Sequence, residues 1–443
     1  MFGITTGQNV PTSKYDQSII SYFPRTQQKY LVEAGISSRN FRDYLPTNAN
    51  YYSGNVKDSF IEFNISGVDN EFIDLGTLAS EISIKILKED GVTAVDTDKI
   101  TLTDGFFHRI FQSVSVYLNG VQVENSPHFG LMNVVKTYLN MSRDKLLTFG
   151  ENMGYKETDV DQDLSDSFFT NSNSREKALT RKCKEATIHM FGPINLDIGD
   201  VSTYLLDKID LRIRFDLAPP SILIKSPDAG SFKYKVESCK LWVERLLPIP
   251  SAMIALNKVM SESMQTVDYM FNRQLLKTVI MPKNQTSLMI DNIFQGVIPH
   301  KLVIFVMDQK ALNGEHKKNS SYFIDNKISQ IKVEVNGTDL SNIVCSFPDK
   351  IAQVFYETIR NVGTDQPSLL TYENFCRGKT IFCFDTRSSN ASDVIYIEKS
   401  GLLRITIMCD QPTVDNRVVF IAGDTTGMIE TNIDRRIFTN YLQ

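Results

Sequence analysis

From residue 58 onward, short β-like runs of apolar residues follow one another. Ser59–Ile65, Glu81–Leu87, Val114–Leu118, Thr187–Phe191 and Ile209–Phe215 fall in the first half of the chain. The second half adds Leu276–Met281, Lys301–Met307, Ile331–Val335, Thr380–Phe384, Leu402–Met408 and Arg417–Ile421. Alternation is plain in Asp210-Leu211-Arg212-Ile213-Arg214-Phe215 and in Lys332-Val333-Glu334-Val335. Successive side chains of a strand point to opposite faces, so this pattern predicts half-buried strands. The runs are rich in β-branched and aromatic residues, and Gly, Pro, Asn and Asp separate them, which predicts an all-β sandwich or barrel. Two segments instead repeat at helical spacing. His128–Leu139 places Leu131, Val134, Val135, Tyr138 and Leu139 on one face, and Pro348–Val362 does the same with Ile351, Val354, Phe355 and Ile359.

The order of these signals repeats. Val114–Leu118 runs into Asn119-Gly120 and Ile331–Val335 into Asn336-Gly337, and a predicted helix follows each. Asn-Gly accepts the positive φ angles of a tight hairpin turn. Further on, Ile188–Phe191 answers Ile381–Phe384 (381 − 188 = 193), and Leu211–Ile213 answers Leu403–Ile405 (403 − 211 = 192). The Asn-Gly pairs differ by 336 − 119 = 217. The surplus in the first copy matches the acidic, Ser/Asn-rich stretch 150–174, which reads as an exposed insertion loop. The expected organisation is an arm over 1–57, one sandwich over 58–250, a linker over 251–263, a second sandwich over 264–425 and a tail over 426–443. Each sandwich should carry one short inserted helix.

The first 56 residues alternate poorly and scatter aromatic rings among Asn, Gln, Ser and Thr. Tyr15, Tyr22, Phe23, Tyr30, Phe41 and Tyr44 are the candidate contacts of an assembly arm, with Tyr51 and Tyr52 beyond them. Such an arm either orders against a partner or lies on its own domain, and the residues leave both open.

Composition narrows the function. The chain has 443 residues, with 47 Lys plus Arg against 52 Asp plus Glu, a net charge of −5 that disfavours a nucleic-acid coat. No run of about 18 apolar residues predicts a membrane helix, and the N-terminus lacks the pattern of a signal peptide. The six cysteines, at 183, 239, 345, 376, 383 and 409, form no C-x-x-C pair and read as reduced, mostly buried thiols. The five histidines show no metal-ligand spacing, so no metal or other cofactor is expected. His189 reads as a core or sheet-face residue. Gly378-Lys379-Thr380 looks like the end of a phosphate loop, but Glu373 stands where the first glycine is required, leaving an ordinary turn. Glu157, Asp159, Asp161, Asp163 and Asp166 lack the glycine and terminal Glu of a calcium loop. The basic patch Arg175, Lys177, Arg181, Lys182 and Lys184 follows that acidic stretch and can pair with it locally. No catalytic spacing is present, so an enzyme is not expected. An all-β carbohydrate- or peptide-binding protein and a hydrolase built from distant residues remain as other classes.

Several strings together resemble a known family. They include Phe72-Ile73-Asp74-Leu75, the run Phe107–Gly120 and Val135–Leu139 in the first copy. In the second copy they are Ile298–Phe305, Ala311–Gly314, Ile331–Gly337, Tyr372–Gly378 and Ile381–Asp385. Over roughly residues 58–425 the chain is similar to the double jelly-roll major capsid proteins of Maverick/Polinton-type elements and adintovirus-like DNA viruses. The resemblance implies two tandem eight-stranded jelly rolls per chain and three chains in a pseudo-hexagonal capsomer that tiles an icosahedral shell. It implies a structural protein of the virion, assembled in the host nucleus or cytoplasm, with itself, penton proteins and minor capsid proteins as partners.

Overall fold

The computed structural model describes residues 35–48, 60–93, 95, 99–155, 182, 184, 187–201, 203–227, 232–262, 266–347, 349–363, 368–387 and 399–440. The first half contains β1 (Ile36–Tyr44), β2 (Phe60–Ile65), β3 (Phe72–Lys88), β4 (Thr101–Leu102), α1 (Phe106–Arg109), β5 (Phe111–Leu118), β6 (Val121–Ser126), α2 (Phe129–Asn140), β7 (Ile188–Pro193), β8 (Leu211–Leu217), β9 (Ile224–Lys225) and β10 (Phe232–Pro248). One sheet runs β1-β10-β3-β7 and the other β2-β8-β5-β6. Every pairing is antiparallel.

Helix α3 (Pro250–Glu262) leads to the second half. There follow β11 (Val267–Met281), β12 (Ser287–Asp291), β13 (Val297–Ile298), β14 (Lys301–Asp308), β15 (Ile328–Val335), β16 (Thr338–Val344), α4 (Ala352–Val362), α5 (Tyr372–Cys376), β17 (Ile381–Asp385), β18 (Lys399–Ser400), β19 (Leu403–Cys409), β20 (Arg417–Thr431) and β21 (Ile437–Asn440). Its sheets run β11-β20-β14-β17, with β21 also on β20, and β12-β19-β15-β16. Both halves thus wind eight strands through the same order into two facing four-stranded sheets, which is the jelly roll.

Local chemistry explains the repeated hairpin. Asn119 and Gly120 have φ of 46° and 81°, and Asn336 and Gly337 have 51° and 77°. Positive φ at both central residues is the turn whose twist matches its flanking strands. In each half the helix comes one strand later: α2 follows β6 and α4 follows β16. Pro348 lies outside the described residues, and α4 starts at Ala352 rather than in the turn that Pro348 was expected to begin.

The structure corrects several boundaries. The first sandwich begins at Ile36, not at 58. Strand β1 lies inside the expected arm and pairs with β10 from Ile36↔Pro248 to Tyr44↔Leu241. The expected linker 251–263 is largely helix α3, which buries Met253 and Met260. The second sandwich does not end at 425: β20 continues to Thr431, and β21 pairs with it inside the expected tail. Most of the insertion loop lies outside the described residues, and its start is only partly exposed: Glu151 and Asn152 face solvent, whereas Met153 and Tyr155 are buried in the first core.

One register also shifts. Ile188 points into the first sandwich, while Phe191, three positions on and therefore on the other face, is exposed. In β17 Phe382 faces inward, against Phe347 and Phe375, and Phe384 shares its face. By facing, Ile188 therefore corresponds to Phe382, one residue beyond the offset read from the sequence. Leu211 and Leu403 do correspond, since each pairs with the residue just before its Asn-Gly turn, Leu118 or Val335.

Candidate assembly surfaces

The two jelly rolls meet across a desolvated seam. Lys379, in the turn before β17, reaches into the first half. Its Nζ donates to Asp104 Oδ2 at 2.9 Å and to the Ser321 carbonyl at 2.9 Å. Lys379 is 1% and Asp104 0% exposed. The Tyr138 hydroxyl donates to the same carboxylate, and Lys379 lies 4.3 Å from the centre of the Tyr138 ring. Arg109 donates to the Ser320 carbonyl at 3.0 Å. At the far end of the seam Arg435 pairs with Asp207, and the Leu206 amide donates to the Tyr269 hydroxyl at 3.1 Å. A buried charge without its partner is costly, so these pairs fix one relative placement of the two rolls.

Between these ends, α2 and the turn Asp197–Asp200 lie on the outer face of β11, β20 and β14. Lys136 donates to Asp197 Oδ1 at 3.0 Å, and the Gln274 amide donates to Asp197 Oδ2 at 2.8 Å. Met132, Lys136, Val303 and Asp424 line a cleft of about 450 Å³ there. His128 stands edge-on to Phe420, 5.5 Å between centres. Burial works against the charge on Lys136, but Asp197, Asp424 and Asp200 overcome it and hold its pKa above the ordinary value. Glu124 accepts from the Ile198 amide at 3.1 Å. Burial, and then the charge of Asp197, push its carboxyl well above the usual carboxylate range.

Tyr15, Tyr22, Phe23 and Tyr30 of the expected arm lie outside the described residues. Phe41 and Tyr44 lie on opposite faces of β1. The Tyr44 hydroxyl accepts from Arg245 Nε, which also sits beside Glu71, so this ring is tied to its own sheet. Phe41 points outward, 45% exposed, and stacks on Trp242 at 5.2 Å. Phe191, 42% exposed, stands edge-on to the same indole at 6.4 Å. The Trp242 Nε1 donates to Glu81 at 3.2 Å, and Lys240 pairs with Asp43 at 3.0 Å. An aromatic centre ringed by charge is the anatomy of a protein contact. No sequence reading brought these three rings together, because they come from three strands; the chain's sole tryptophan was the available signal.

The remaining candidates also have places. His189 is exposed on the sheet face and bonds Ser83 Oγ at 2.8 Å. Lys182 donates to the Asn152 carbonyl at 2.8 Å. Arg175, Lys177, Arg181 and the acidic run 157–166 are outside the described residues. Cys239, Cys345, Cys383 and Cys409 are buried free thiols and Cys376 is half-buried. Among the described residues no group of three or more His, Cys, Asp or Glu is arranged to hold a metal ion. Also among them, no helix is long and apolar enough to cross a membrane.

Solved structures share this architecture. The Sputnik virophage structure aligns with a TM-score of 0.60 at 10% identity, covering 99% of this chain and 93% of that one. The Faustovirus major capsid protein aligns at 0.61 with 8% identity over 95% of both chains. The mavirus major capsid protein aligns at 0.51 with 10% identity over 99% of this chain and 96% of its own.

The fold is the double jelly roll.

No protein-family model and no curated protein matches the sequence. The likeness therefore rests on the double jelly roll itself, spanning nearly the whole of both chains.

Proposed function

We propose that this chain is the major capsid protein of a virus. It trimerises into pseudo-hexagonal capsomers that tile an icosahedral shell, has no enzymatic role, and works in the virion beside penton and minor capsid proteins. The observation that carries this reading is the rigid pairing of two jelly rolls with one strand order across a buried charged seam. A threefold then generates six similar lobes, and such a head-to-tail contact closes into a ring. The full-length likeness to solved viral capsid proteins supports it. The affiliation with Maverick/Polinton or adintovirus-like elements is part of the proposal. So is the arm, with Tyr15, Tyr22, Phe23 and Tyr30 as contacts to neighbouring copies. Native mass spectrometry tests it. A mass near three times 50.3 kDa, with shell-like particles in the electron microscope on concentration, is the expected result. A monomer under gentle conditions that never assembles would overturn it.

A further inference from the structure

The same sheet of the jelly roll meets different fates in the two halves. In the second, β14, β17 and β20 are buried on both faces over much of their length, and α2 of the first half lies over the outer side of β14 and β20. In the first, β7 alternates buried and exposed, and the face bearing Phe41, Trp242 and Phe191 has no cover among the described residues. The covering helix has a counterpart too. Matching buried positions sets Gly130, Val134 and Tyr138 of α2 on Val354, Thr358 and Val362 of α4, an offset of 354 − 130 = 224, which puts Leu131 and Val135 on the partly buried Phe355 and Ile359. The residues of α2 that press on the seam, Met132 and Lys136, then correspond to Tyr356 and Arg360. Tyr356 is 67% exposed, Arg360 is exposed, and Arg360 has no ion-pair partner among the described residues.

The chain thus contains one complete contact and the two unused halves of a second. We propose that the aromatic face of Phe41, Phe191 and Trp242 receives the Tyr356–Arg360 ridge of α4 from a second copy of this chain, as the second jelly roll receives α2 within the chain. This rests on the self-assembly reading above and names the surfaces that carry it. The chemistry fits. A tyrosine and an arginine on adjacent turns present a ring and a cation to three aromatic rings and to Glu81, and Trp, Tyr and Arg are the residues on which interface energy concentrates. The two surfaces differ, so the contact runs head to tail and each copy uses one of each.

The test uses the full chain with Phe191→Cys and Tyr356→Cys, alone and together, under mild oxidation. The double variant should give a disulfide ladder that stops at three copies, and each single variant should give none. A variant that fails to fold would leave the question to the wild-type protein, where Trp242 is the only tryptophan. Its emission should shift to the blue, and its quenching by acrylamide should fall severalfold, at the concentration where light scattering shows association. Tyr356→Asp should weaken that association at least tenfold. A trimer by light scattering with no ladder and with Trp242 as accessible as in the monomer overturns this inference and leaves self-assembly standing. No association at any concentration overturns both.

Discussion

At the residue scale the seam depends on charges that water cannot reach. Lys379 and Asp104 face each other with almost no exposure, so removing either strands the other. Lys379→Met should cost about 3–5 kcal/mol in denaturant melts, and replacing both partners by apolar residues should recover most of that loss. The sequence did not show this role: Lys379 follows a glycine in what reads as a plain turn, and its partner lies 275 positions away. Glu124 makes the seam sensitive to pH. Its carboxyl is pushed up to about 8 from 4.5, by burial first and by Asp197 second. An acid whose folded pKa is raised holds its proton more tightly when folded. Its contribution to stability is complete below pH 4.5 and is lost as pH rises to about 8. Thermal melts of the wild type should therefore fall, relative to Glu124→Gln, across that window. Equal slopes for the two proteins would show that Glu124 titrates normally.

At the scale of elements, strands were legible in proportion to what they bury. The central strands β3, β5, β8, β14, β15, β19 and β20 all announced themselves by alternating or continuous apolar runs. Among the strands that escaped, β1, β6, β12 and β16 sit at the edges of the four-stranded sheets. An edge strand has one neighbour, and these carry many exposed positions, as in β1 and β16. Polar residues suffice there, and charge helps to protect the open edge. Strand β1 was hidden further by the polar stretch around it. This changes what truncation should do. Removing residues 1–34 should leave the melting temperature nearly unchanged. Removing 1–48 deletes the strand along β10, leaves the hydrogen-bonding edge of β10 open and breaks the Arg42–Glu71 and Tyr44–Arg245 contacts. That protein should be insoluble or strongly destabilised, as circular dichroism melts of the two truncations will report. The insertion loop divides in the same way. A deletion of 156–181 should be tolerated. One starting at 150 also removes Met153 and Tyr155, whose hydroxyl hydrogen-bonds His108 at 2.6 Å inside the first core, and should cost several kcal/mol.

For the whole molecule, two copies of one fold need not be two independent domains. The repeat in the sequence suggested separable sandwiches joined by a linker. The linker is instead a helix whose Met260 Sδ lies 3.5 Å from the guanidinium of Arg435, the residue that pairs with Asp207. Backbone bonds also cross between the halves, with the Ser226 amide donating to the His316 carbonyl at 3.1 Å. The outer face of the second jelly roll is as apolar as a core: Phe305 and Phe420 stack there at 4.9 Å, both fully buried. Cutting the chain at 263 would open that face to water and leave Lys379, Asp104, Arg435 and Asp207 without partners. Neither half should then be soluble alone, whereas two independent domains would each survive. In the intact chain the same coupling should merge the two unfolding events. Calorimetry should record a single transition whose calorimetric and van't Hoff enthalpies agree. A Lys379→Met variant should separate it into two, with the second half melting first, because it loses the cover of α2 while the first half keeps both of its sheets. Two resolved transitions already in the wild type would mean that the seam is too weak to make the pair of jelly rolls one rigid block.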